Sequence, residues 1–313
     1  MSAVKLLVEP GVTVSRDDFI TRAPARSVGL DGYVSGAPFF MMTERGPLRS
    51  FNHHEAVDRS CMCATCEQCR RAVLMGFYDV FRASGVRDAS VFVNDCDQDV
   101  CMASWILLNP DRAAEPLVRT LCQIVDLLDM SAGAFPMPRE ARMLNQVRWV
   151  FEPYNRFRSS GAAQTVSAVT SVISDVHARI DQFVMGRALE LEITGSYEII
   201  RSGRGWSLVR PSDQTAREKM ISDGIRAAVE LVATDGDRRR YSLWRASEYI
   251  VSFPLERILC ALRASEDAAH GRLLGTNESW GGSATCGGSP RALWSRLSPD
   301  DVCDVIDQIV GAR

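Results

Sequence analysis

Val91-Phe92-Val93-Asn94-Asp95-Cys96-Asp97-Gln98-Asp99 is a short apolar run that passes directly into alternating carboxylates. Its first three residues fit a strand buried on both faces, the kind found in parallel sheets. A helix is expected from about Val100 to Leu108, closed by Asn109-Pro110. Strand, loop and helix in that order make an α/β unit, and open α/β sheets collect ligands at the carboxyl ends of their strands. Carboxylates at every second position suit a hard cation. The helix start adds spare N–H groups and a positive dipole end that favour an anion such as phosphate. On the plain structural reading, Asp95, Asp97 and Asp99 are helix caps and solvated loop charges.

The second informative stretch is Phe51-Asn52-His53-His54-Glu55, at the end of the strand-like segment Leu48-Arg49-Ser50-Phe51. The chain has only 4 histidines, and two of them are adjacent here. Neighbouring side chains diverge in a strand or a helix, so one buried apolar face does not explain both. Imidazole and carboxylate together favour Mn²⁺, Mg²⁺, Fe²⁺ or Zn²⁺. Asp31-Gly32, after another apolar strand, offers a further carboxylate.

Composition sets the frame for these loops. The 313 residues are 46% hydrophobic and 24% charged, with a net charge of -3. That is a globular chain with room for two domains on the scale of about 150 residues each, and it has no general attraction to nucleic acid or membrane. No stretch approaches the ~20 apolar residues of a membrane span, and the first ten residues do not read as a signal peptide. The cysteines are therefore expected to be reduced and the protein cytoplasmic.

Further strands are expected at Val4–Val8, Ser27–Val34 and Pro38–Met42, and helices over Thr65–Phe81, ended by Gly85, and Pro116–Leu128. From about Glu140 to Leu189 the chain reads as helical, with Arg158-Ser159-Ser160-Gly161 as the best linker. Alternation returns near Leu191. Tyr197–Arg201 and Trp206–Val209 flank a hairpin turn, followed by a helix over Thr215–Ala227 and strands at Ala228–Ala233 and Arg240–Arg245. A helix near Leu255–Ala264, a glycine-rich loop at Trp280–Arg291 and a helix after Ser298-Pro299 close the chain.

The motifs resemble those of the DHH phosphoesterase superfamily. Asn94-x-x-Asp97-x-Asp99 after a strand is similar to its first, metal-ligating motif, and Asn52-His53-His54 to its Asp-His-His motif, with Asn in place of Asp. Ala64-Thr65-Cys66-Glu67-Gln68 resembles the helix start that follows, and Asp129-Met130-Ser131-Ala132-Gly133-Ala134-Phe135 the later Asp motif. In the carboxyl-terminal third, Tyr241–Ser247 and Trp280–Arg291 resemble the strand and glycine-rich loop of the associated DHHA1-like substrate-binding domain. Two departures are plain: the His-His loop precedes the Asp-x-Asp loop, and the glycine loop carries Ser289-Pro290-Arg291 where the family has a histidine.

The resemblance implies a mainly parallel α/β catalytic domain over residues 1–155, a helical linker over 156–190 and a smaller α+β substrate-binding domain over 191–313. It implies metal-dependent hydrolysis of a phosphodiester or phosphoanhydride in a small nucleotide, oligonucleotide or polyphosphate. His53, His54, Asp97 and Asp99 would be catalytic, and Asp129 and Asp31 would join them in holding Mn²⁺ or a similar ion. Arg245, Ser247, Gly281, Gly282, Gly287, Gly288 and Arg291 would bind a small phosphorylated substrate, which could be a short single strand; a homodimer is compatible with this.

A rival site is Cys61-x-Cys63-x2-Cys66-x2-Cys69, whose spacing could hold zinc or an iron–sulfur cluster in a non-catalytic regulatory or binding protein. Cys66 and Cys69 also fall on the inward stripe of the expected helix, where cysteine acts as a small hydrophobe. The glycine-rich loop has an equally plain alternative as a surface turn.

Overall fold

Four short strands in the first half of the chain precede the run around Val91: β1 (Lys5–Val8), β2 (Ser27–Leu30), β3 (Phe39–Thr43) and β4 (Gly46–Phe51). After a small hairpin of β5 (Arg82–Ala83) and β6 (Val86–Arg87), the run itself forms β7 (Ser90–Val93). These strands form a sheet of order β1-β7-β2-β4-β3 in a computed structural model that describes residues 3–58, 61–131, 133, 135, 137, 142–192, 194–213, 215–275 and 278–311. Ala132 and Ala134 of the Asp129 motif, and Glu140 at the start of the expected helical segment, lie outside the described residues.

The protein is mixed α/β. In the first sheet β1, β7, β2 and β4 run parallel, and only β3 is antiparallel. Every residue of β2 is buried, as expected for a strand covered on both faces, whereas β3 alternates in the manner of an edge strand. The contacts divide the chain into two compact units, Met1–Met130 with Arg142–Glu192 and Ser131–Ala141 with Ile193–Arg313.

In the first unit, α1 (Arg16–Arg22) is capped by Ser15, whose hydroxyl accepts the Asp18 N–H. The helix expected over Thr65–Phe81 is two helices, α2 (Thr65–Leu74) and α3 (Phe77–Val80), because Gly76 takes a left-handed conformation with φ 98°. At that φ any other side chain would be strained, so the break favours glycine. α4 (Gln98–Leu108) follows the acidic loop, and α5 (Pro116–Met130) ends at the Asp129 motif.

The segment expected to be a helical linker is helical but packs as core. α6 (Arg142–Ser160) and α7 (Val166–Val184) place Val150, Phe151, Val169, Val176 and Ile180 in one apolar cluster with Val91, Trp105 and Leu121. Gly161 thus separates two helices of the same unit. Among the described residues no helix is long and apolar enough to cross a membrane.

His177 pins α7 to α4. Its Nε2 lies 3.0 Å from Cys101 O and 3.0 Å from Ser104 Oγ. Burial lowers its pKa to about 4, so the folded protein holds it neutral. A depressed histidine stabilises above its ordinary pKa of about 6.5 and loses that contribution as pH falls toward 4. We expect His177→Gln to flatten the acid side of the stability profile in that window. Urea melts of the two proteins should differ in pH dependence by up to about 3 kcal/mol.

The second unit holds β8 (Tyr197–Gly203), β9 (Trp206–Pro211), α8 (Ala216–Ser222), β10 (Ala227–Asp235), β11 (Arg238–Arg245), α9 (Leu255–His270), β12 (Gly281–Gly282), β13 (Cys286–Gly288) and α10 (Pro299–Gly311). The sheet order is β12-β13-β11-β10-β9-β8, with β9 and β10 parallel and the other pairs antiparallel. α9 and α10 contribute Ile258, Leu262, Val302 and Ile306 to the core with Leu243 and Trp280. α8 stops at Ser222, short of the expected Ala227, since Gly224 with φ 90° turns the chain into β10.

Candidate metal centre

β2, β4 and β7 are neighbours in the sheet and all point the same way, so their carboxyl ends deliver three loops to one edge. Asp31 leaves β2, Asn52 to His54 leave β4, and Asp95 to Asp99 leave β7. The Asp31 N–H donates to Phe51 O at 2.9 Å, tying the first two loops together. Asp31 itself has φ 44°, a conformation that Asp tolerates better than most residues. Asp129 arrives separately, from the last turn of α5.

These loops converge on one atom. His53 is fully buried, and its Nε2 lies 2.8 Å from Asp129 Oδ2, 3.3 Å from Asp31 Oδ1 and 3.6 Å from Asp99 Oδ2. Yet neither ring nitrogen of His53 has a hydrogen bond of normal geometry among the described residues. His54, partly exposed, places its Nε2 2.9 Å from Asp31 Oδ1. The two rings are 4.3 Å apart, because they sit in a turn after β4 and not in a strand, where they would diverge. Two sets of potential ligand atoms result, Asp31 with His53 and His54, and His53 with Asp99 and Asp129.

Burial and neighbouring charges pull the groups of the site in opposite directions. Burial alone would lower the His53 pKa, but Asp129 and Asp31 override it and push it up to about 10. Burial would raise Asp31, but His53 and His54 hold it well below the usual carboxylate range. For Asp99, burial, with Asp31 and Asp129 beside it, outweighs the relief from His53 and the Cys66 N–H and pushes it up to about 7. Burial and the same neighbours drive Asp97 well above its ordinary value. Carboxylates crowded around one imidazole fit a buried divalent ion. The orphaned nitrogens of His53 fit the same donor set.

Asp97 and Asp99 play different structural parts. Asp97 is the cap of α4, accepting the Val100 N–H at 2.8 Å, and it belongs to neither ligand set. Asp99 caps a different helix: its oxygens accept the Thr65 and Cys66 N–H groups at 2.7 Å each, holding the start of α2 against the site. Asp126, one turn before Asp129, accepts the Ala64 N–H at 2.6 Å. Sequence reasoning gave Asp126 no role, although its i, i+3 spacing from Asp129 was the available signal.

Asn52 is a clamp on the histidine turn. It is fully buried, donates to Gly36 O at 2.9 Å and accepts the His54 N–H at 3.0 Å, while Gln68 donates to its carbonyl. An aspartate could accept from His54 but could not donate to Gly36. Asn52→Asp should therefore lower the unfolding free energy by about 1–3 kcal/mol. A thermal melt at neutral pH that matches the parent protein would remove this account of the residue.

The residues expected to bind substrate from the second unit are tied into its sheet. Arg245 donates its Nε to Ala284 O at 2.6 Å and points Nη1 at Ile250 O and Phe253 O, so its guanidinium serves backbone carbonyls. Ser247 is half-buried, and Arg291 is exposed. The glycine-rich stretch is a hairpin, β12 and β13, paired to β11. Its glycines have a packing reason. A Cβ at Gly282 would lie 2.2 Å from Cys286 O, one at Gly287 2.7 Å from Leu259 Cδ1, and one at Gly288 2.9 Å from Tyr241 O; Gly281 alone is open.

The cysteines do not form a ligand cluster among the described residues. Cys61 is exposed and Cys63 half-buried, while Cys66 and Cys69 are buried in the α2 core. Burial raises both inner thiols well above their ordinary values, away from the thiolate form that binds metal.

No known family profile matches the chain. No solved structure matches it either. A nucleoid-associated protein of Malacoplasma penetrans is 32% identical over 57 residues, which is 18% of this chain. The match spans 61% of that protein's length.

Proposed function

We propose that the first unit is a metal-dependent phosphoesterase centre related to the DHH superfamily. The observation that carries this reading is His53 Nε2, buried within 3.6 Å of carboxylates from Asp31, Asp99 and Asp129 and lacking a hydrogen bond of normal geometry among the described residues. The motif resemblance supports it, and the lateral order of the strands lets loops in this chain order meet at one edge. Asp31, His53, His54, Asp99 and Asp129 would hold one or two Mn²⁺-like ions. Such ions supply charge neutralisation at a phosphoryl group and a water acidic enough to attack near neutral pH.

The chain's own residues prepare that chemistry. Asp99 fixes the start of α2, and Asp97 fixes the start of α4, so two helix N-termini are held beside the carboxylates. Asn52 holds the turn that keeps the His54 ring partly exposed, which makes it the histidine a substrate can reach. The substrate class is a phosphodiester or phosphoanhydride of a small nucleotide, short oligonucleotide or polyphosphate, and the second unit is proposed to bind it. Arg291, exposed beyond the glycine hairpin, suits that task better than Arg245.

The test is hydrolysis of bis(p-nitrophenyl) phosphate and of a dinucleotide, with added Mn²⁺ and with EDTA. Activity should require the ion, and Asp97→Ala/Asp99→Ala should lose both bound metal and turnover. Full activity in that double variant would sink the proposal.

A further inference from the structure

The second unit contains a cavity of about 420 Å³ that none of the readings above uses. It opens where β9 and β10 begin, between the β8–β9 turn, the Gly224–Ala227 bend and the Ile250–Ser252 segment. Among the described residues its lining has no aspartate or glutamate. Among the described lining residues the only charged side chain is Arg226, which is exposed and whose guanidinium has no hydrogen bond or ion pair to any described residue.

The remaining walls offer hydrogen-bond donors above an apolar floor. Ser202, Ser207 and Ser252 bring hydroxyls. Trp206 forms part of the apolar floor, only 3% exposed. Ile225 and Ile250 supply an apolar side. An unpaired guanidinium with neighbouring hydroxyls is the usual recognition set for a phosphoryl group. The volume exceeds that of a free phosphate ion and falls within the range of small-molecule sites, about 300–1,000 Å³.

We infer that this cavity binds a small organic phosphate of up to mononucleotide size, with Arg226 on the phosphoryl group and the Trp206–Ile225–Ile250 side against the organic body. The inference does not depend on the metal centre, because the cavity lies wholly within the second unit. Binding can be measured with the metal removed, so failure of one proposal is distinguishable from failure of the other.

The experiment is isothermal titration of the full-length chain in EDTA with AMP, ribose 5-phosphate, adenosine and inorganic phosphate. AMP or ribose 5-phosphate should bind with a Kd below 1 mM, and at least tenfold more tightly than inorganic phosphate or adenosine. Arg226→Gln should weaken that binding at least tenfold, whereas Arg204→Gln, on the adjacent turn but outside the cavity, should leave it unchanged. Ser252→Phe, which fills the mouth from an exposed position, should abolish binding without shifting the melting temperature. Absence of binding by both organic phosphates, equal binding of adenosine, equal binding of inorganic phosphate, or an Arg226→Gln variant that binds like the parent each overturns the inference.

Discussion

Replacing His53 by alanine should abolish the proposed metal-dependent phosphoesterase activity, with a loss of at least about 10²-fold, a loss that removing even an outer partner of a metal ligand can reach. The side chain is fully buried and is the common member of both ligand sets, so its removal breaks both at once. The same change leaves Asp31, Asp99 and Asp129 facing one another without the imidazole that partly neutralises them. Their mutual repulsion should then raise their proton affinity, as it already does for Asp99. Mn²⁺ bound per chain, measured by elemental analysis after gel filtration, should fall together with turnover. A His53→Ala protein that keeps its metal and its rate would place the active centre elsewhere. His54→Ala should be milder in metal retention, since it removes a member of one set only.

Glu266 should be the most costly single residue to remove from the second unit. It is fully buried on α9, accepts the Trp280 indole N–H at 2.9 Å, the Ser295 hydroxyl at 2.5 Å and the Arg296 N–H at 2.7 Å, and lies 3.3 Å from His270 Nε2. Glu266→Ala would strand three buried or half-buried donors and open a void beside Trp280. The expected loss is about 3–5 kcal/mol of stability, read as a large drop in melting temperature. Glu266→Gln keeps the shape and one acceptor oxygen, and should recover part of that loss. Equal stability of the alanine and parent proteins would contradict the network's role.

Much of the site could be read from the residues, because strand ends leave a strong local signature. An apolar run followed by polar side chains marked the loops of Asp31, His53 and Asp99, and the parallel pairing of β2, β4 and β7 then placed them side by side. What could not be read was the division of labour. Asp97 and Asp99 look equivalent in a D-x-D spacing, yet one oxygen of Asp97 is spent on its own helix, while Asp99 reaches a helix 33 and 34 residues earlier. Long-range capping of that kind depends on tertiary packing and leaves no local pattern. The glycine-rich stretch misled for a related reason. Glycines needed for close strand approach and glycines needed to cradle an anion are identical in sequence.

The linker expectation failed on amphipathicity. α6 and α7 carry enough polar residues to resemble a solvated connection, but Val169, Val172, Ile173, Val176 and Ile180 form a stripe that needs a partner, and the first unit supplies it.

The sheet order β1-β7-β2-β4-β3 has a consequence for the ancestry of such a centre. The loops of Asp31, His53 and Asp99 are each carried by their own strand, and sideways neighbours meet whatever the sequence in which the ribosome makes them; Asp129 alone comes from a helix. A gene rearrangement that moved whole strand–loop–helix cassettes past one another would scramble the reading order of the motifs and leave their meeting point intact. Motif order is thus a poor guide to kinship for sites of this type. A chain nicked at the exposed turn at Gly161, which leaves every cassette whole, should keep the same cluster of histidine and aspartate assembled.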